Sequence, residues 1–101
     1  MDVLVPFGKL SRPEPWEEQM PPKVEIRNMK FNPASLTVAK GDKVQWTNTM
    51  GIQHTVTADD GSFDSGPIGQ NQTFSQTFNA TGTVPYHCEI HPNMTATIVV
   101  S

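Results

Sequence analysis

From residue 23 onward, apolar and polar residues alternate over short runs, and turn-forming residues separate the runs. Residues 23–27 set Val24 and Ile26 between charged neighbours, the two-residue period of a strand with one buried face. Met29 and Phe31 continue the alternation in the opposite phase after Asn28, which predicts a bulge at Asn28. Asn32-Pro33-Ala34 reads as a turn, residues 35–39 as a strand, Gly41-Asp42 as a tight turn, and residues 43–47 as a strand with Val44 and Trp46 on one face. These two strands are expected to form a hairpin. Further strands are expected over residues 54–57, 73–78, 83–88 and 95–100. Residues 61–71, rich in Gly, Ser, Asp and Pro, read as a long connection, with room for one turn of helix inside 59–71. No longer stretch carries a 3.6-residue period. Seven or eight short strands divided by turns predict an all-β domain, a sandwich or barrel of antiparallel strands.

Residues 1–22 differ in kind. They hold five of the nine prolines (Pro6, Pro13, Pro15, Pro21, Pro22) and show no periodicity, as expected of a tail or linker. Val3, Leu4, Val5, Phe7 and Trp16 supply more apolar surface than a fully solvated linker carries, so docking against the domain is as well supported as disorder. The organisation read from the sequence is thus a Pro-rich extension over 1–22 and one domain over 23–101. A length of 101 residues suits a single domain with one modest core.

Charge and cysteine content narrow the chemistry. A formal net charge of −3 argues against nucleic-acid binding through a broad basic surface. Asp59, Asp60 and Asp64 form an acidic turn, read as a solvated loop. No apolar run approaches the roughly 20 residues of a transmembrane helix. Residues 1–10 lack the basic start and long apolar middle of a secretory leader, so either the chain stays in the cytoplasm or an export signal preceded Met1. Cys88 is the only cysteine, which excludes an intramolecular disulfide and leaves an inert buried thiol, a reactive group or a ligand.

The neighbours of Cys88 decide among these. Tyr86-His87-Cys88-Glu89-Ile90-His91-Pro92-Asn93-Met94 offers a thiolate, an imidazole and a thioether at a repeated spacing of three residues, which a tight loop after a strand folds around one point. His54 lies 34 positions before Cys88, at the start of an expected strand, and supplies a second imidazole. His87 adjoins Cys88, and side chains alternate across a strand, so it should face away from the thiol. Two imidazoles and a thiolate with a weak axial thioether form the blue-copper ligand set: Cu(I) favours soft sulfur and Cu(II) accepts imidazole, and a rigid compromise lets the metal change oxidation state with little movement. Thioether also disfavours a structural zinc site. The candidate ligands are His54, Cys88, His91 and Met94, for one type 1 copper.

The stretches IRNMKFNPASLTVAKGDKVQWTN, QHTVT and GTVPYHCEIHPNM resemble the cupredoxin core of plastocyanin and its relatives over roughly residues 23–101. The Cys-x2-His-x2-Met loop is similar to that of amicyanin, whereas plastocyanins and pseudoazurins place four residues between the last His and Met. The resemblance implies a Greek-key sandwich of eight strands with copper at one end. It also implies single-electron transfer between partner proteins by Cu(II)/Cu(I) cycling without conversion of a substrate, docking near a surface-facing His91, and a monomer in the periplasm or another exported compartment. Pro92, Met50, Gly51 and Ile52 are expected to frame that docking surface. Many relatives place Asn after the first ligand histidine to tie the two ligand loops; Thr55 stands there, and its hydroxyl is expected to take over the bond. Copper storage or delivery, or a blue-copper domain cut from a larger oxidoreductase, are the rival readings. Three histidines cannot furnish a blue site together with an additional three-imidazole catalytic centre, and one cysteine cannot form a two-thiolate dinuclear copper site.

Overall fold

The computed structural model describes residues 22–101, and these form eight β-strands in two four-stranded sheets. In chain order they are β1 (Lys23–Arg27), β2 (Lys30–Asn32), β3 (Ser35–Val38), β4 (Lys43–Asn48), β5 (Thr57–Ala58), β6 (Thr73–Thr77), β7 (Gly82–His87) and β8 (Thr95–Val100). One sheet runs β2-β1-β4-β6 and the other β3-β8-β7-β5. The expectations about residues 1–21 lie outside the described residues.

The strands bury their apolar parity. Exposed and buried positions alternate through β1, and in β4 and β8 buried residues alternate with half-buried or exposed ones. Between the sheets, Trp46 is fully buried, edge-on to Tyr86 at 5.5 Å and tilted against Phe74 at 5.7 Å and Phe78 at 6.4 Å. Trp46 pairs with Phe74 across β4 and β6 and with Val24 across the parallel β1–β4 ladder. Such aromatic contacts add to the area they remove from water. The indole N–H of Trp46 and the hydroxyl of Tyr86 are buried without a hydrogen-bond partner, and burial raises the Tyr86 pKa.

Three local expectations are corrected. In place of a bulge at Asn28 there is a two-residue turn: Asn28 and Met29 have φ of 52° and 58°, and β1 pairs antiparallel with β2 from Arg27↔Lys30. Such a turn requires positive φ at both central residues, and the reversal of the chain accounts for the reversed phase of Phe31. Residues 35–39 and 43–47 form no hairpin. β3 joins the second sheet, parallel to β8 through Leu36↔Ile98 and Val38↔Val100, while β4 belongs to the first. Gly41, at φ 96°, turns the chain between the sheets, with its N–H donating to the Phe78 carbonyl and the Asp42 N–H to the Ala39 carbonyl. Partnership with the core strand β8 outweighs the local turn. Residues 54–57 contribute a bridge, His54↔Ile68, and Thr57, which opens the two-residue strand β5 and bridges Asp64, and residues 59–71 hold bridges and turns instead of helix.

The candidate ligands follow from the register. Thr57↔His87 pairs β5 with β7, and His87↔Thr95 is the last pair of β7 with β8. The chain before β5 and the loop 88–94 therefore leave the sheet at one end.

Candidate metal centre

Cys88 comes directly after β7, and the loop it opens is closed by its own backbone. The Cys88 N–H donates to the Met94 carbonyl at 3.0 Å and the Met94 N–H to the His91 carbonyl at 2.9 Å. His54 is held beside this loop by reciprocal backbone bonds with Ile68, at 3.2 and 2.8 Å. His54 and Cys88 are fully buried, Met94 is buried and His91 half-buried. The donor atoms of His54, Cys88 and His91 lie within 4.8 Å of one another.

The geometry suits a metal better than it suits the side chains alone. Nδ1 of His54 and Nδ1 of His91 each stand 3.8 Å from Cys88 Sγ, long for a hydrogen bond. With bonds of about 2.0–2.1 Å to imidazole nitrogen and about 2.3 Å to thiolate, the values zinc shows, a nitrogen and a sulfur roughly 120° apart around one ion stand about 3.8 Å from each other. Burial, and secondarily the neighbouring His91, lowers the pKa of His54, which favours the neutral imidazole that metal binding requires. The donor set fits a trigonal His-Cys-His site, with Met94 carried by the same loop.

The surroundings hold this cluster. The Thr55 N–H donates to Cys88 Sγ at 3.3 Å, and Thr55 Oγ1 accepts the Glu89 N–H at 2.7 Å, so the threonine makes the loop tie expected of it. Asn48, fully buried, was not singled out by the sequence, where it is one amide at a strand end. Its Nδ2 donates to the carbonyls of Ile52 and Ile68, both at 2.9 Å, and its Oδ1 accepts the Met50 N–H at 2.9 Å. It shapes the approach to His54 and braces the connecting segment that carries Ile68. His87 stands apart from the cluster, as alternation required. Its Nδ1 contacts Asp59 at 2.6 Å and its Nε2 Glu89 at 2.8 Å, and those bonds, the one with Asp59 foremost, raise its pKa.

A two-sheet β-sandwich with buried Cys and His donors converging at one end defines a type 1 copper protein. Residues 18–101 match the copper binding proteins of the plastocyanin/azurin family, and the chain belongs to that family. Among curated relatives it is 38% identical to Amicyanin-alpha of Methylorubrum extorquens, across 77% of this chain and 70% of the relative. It is 30% identical to a plastocyanin of Scenedesmus fuscus, across 69% of this chain and 85% of the relative. A Cu(I) structure of an amicyanin variant superposes with a TM-score of 0.74 at 32% identity, covering 78% of this chain and 80% of that one. The purple cupredoxin of Nitrosopumilus maritimus, at 24% identity and a TM-score of 0.72, shares the fold. The chain is thus homologous to non-enzymatic electron carriers, and redox proteins are its class of partner. Among the described residues no helix is long and apolar enough to cross a membrane.

Proposed function

We propose that His54, Cys88, His91 and Met94 hold one copper ion and that single electrons enter and leave through His91. The observation that carries this reading is the equal 3.8 Å separation of both imidazole Nδ1 atoms from the one thiol sulfur. When bound, copper supplies the one-electron Cu(II)/Cu(I) couple. The protein's part is to keep the donors in place: the closed 88–94 loop fixes Cys88 relative to Met94, Ile68 fixes His54, and the Thr55 N–H gives the sulfur a permanent donor. Little rearrangement is then needed between oxidation states.

Exposure selects the route. His54 is sealed, whereas His91 is half-buried and borders exposed Ile90 and Pro92. Ile52 is exposed on the loop preceding His54, together with Gly51, while Met50 is half-buried. An apolar rim of this kind supports brief docking, since weak redox encounters bury little area. Donor and acceptor proteins meet the monomer there, with no nucleic-acid partner, in the periplasm or another exported compartment. The enclosure of the donors counts against a delivery role, which needs ligands within reach of a target.

The test is a visible spectrum with one equivalent of Cu(II), before and after a mild reductant. An intense band near roughly 600 nm that bleaches reversibly is the expected result; its absence would refute the ligand assignment. Met94→Gln should retain copper and lower the reduction potential, because the amide oxygen is a stronger axial donor to Cu(II). An unchanged potential in voltammetry would remove Met94 from the ligand set.

A further inference from the structure

Thr55 carries a hydroxyl where an amide carbonyl would have served as a ready acceptor, and a hydroxyl has a proton of its own to place. Its surroundings place it. Thr55 Oγ1 lies 2.9 Å from Thr57 Oγ1, and Thr57 Oγ1 lies 3.0 Å from Asp64 Oδ1. The ends fix the direction of the chain: the Glu89 N–H only donates, and an ionised carboxylate only accepts. Thr57 therefore donates its hydroxyl hydrogen bond to Asp64 Oδ1, and Thr55 donates its own to Thr57 Oγ1. Thr55 Oγ1 is left with its lone pairs toward the Glu89 N–H, 2.7 Å away. Both threonines are buried, whereas Asp64 is exposed and its Oδ1 also accepts the Gly66 N–H at 2.9 Å. Successive hydrogen bonds that share a direction polarise one another.

We propose that Thr57 and Asp64 are positioning residues for the copper centre, acting through Thr55 on the sulfur of Cys88. The inference rests on the reading that Cys88 is a ligand. The same Thr55 whose side chain grips the peptide after Cys88 donates its backbone N–H to Sγ at 3.3 Å. Tightening the first bond holds the second in line. Donation to the sulfur draws charge from the thiolate and favours Cu(I), so a loosened chain lowers the reduction potential.

The experiment compares Thr57→Val, Thr57→Ser and Asp64→Ala in the full chain. In the copper-free protein, Thr57→Val is expected to speed hydrogen exchange at the Glu89 and Thr55 amides roughly fivefold to tenfold, the loss of one buried hydrogen bond. In the copper-loaded protein it is expected to lower the potential. Thr57→Ser, which keeps the hydroxyl, restores both values. Asp64→Ala, on the exposed end of the chain, shifts both in the same direction by less. Native exchange rates in Thr57→Val, or equal effects of Val and Ser, would overturn the proposal. The exchange measurement needs no metal. A native protein without the visible band would thus refute the ligand assignment and with it the role at copper, and a native band with unchanged exchange in Thr57→Val would refute the positioning role alone.

Discussion

The Cys88→Ser protein is expected to fold and to show no intense visible band with Cu(II). The band of a blue site is charge transfer from thiolate sulfur to copper, and Cys88 is the only thiol in the chain. A serine hydroxyl at the same place is a hard, weakly acidic donor and cannot replace it. The fold should survive because Cys88 lies just past the end of β7, outside the sheet ladders, and serine is close to it in volume. Burying a hydroxyl where a thiol stood costs about 1–3 kcal/mol if it finds no partner, and the Thr55 N–H that faces the sulfur offers one. Circular dichroism unchanged with the band lost is the expected pair of results. A persisting band would place the chromophore elsewhere.

Trp46→Ala is expected to have the largest effect on stability. The indole is fully buried between both sheets and meets the rings of Phe63, Phe74, Phe78 and Tyr86. Its removal forfeits both the transfer of a large side chain from water and the contacts around the hole, about 3–5 kcal/mol for Trp→Ala. Domains of this size are stable by roughly 5–15 kcal/mol, so the melting temperature of the metal-free protein should fall by roughly 15–30 °C. A fall of only a few degrees would mean that the two sheets collapse onto the gap.

The candidate ligand loop was legible because it is local: Cys88, His91 and Met94 lie within seven residues, a spacing of soft or borderline donors that a tight loop can fold around one point. His54 was legible through scarcity, as the only distant imidazole once His87 is turned away by strand parity. The strands were legible where one face is buried, as in Val24 and Ile26. Strand partnership was less so. The Asn28-Met29 turn lacks the glycine that usually marks positive φ, and residues 35–38 carry nothing that distinguishes a hairpin partner from a parallel partner 62 residues away, where Ile98 pairs with Leu36. Asn48, Thr57 and Asp64 were not legible as parts of the site, because a polar residue acquires such a role only when the fold delivers specific carbonyls and hydroxyls to it.

Three of the four candidate ligands lie on one short loop, and only His54 comes from far along the chain. An unfolded chain therefore keeps a tridentate fragment, Cys88, His91 and Met94, with a claim on copper of its own. A metal stabilises a fold only by the margin between its affinities for the folded and unfolded chains. That margin rests on His54 and on the fixed geometry of the loop, so copper raises the unfolding free energy by less than its native affinity would supply.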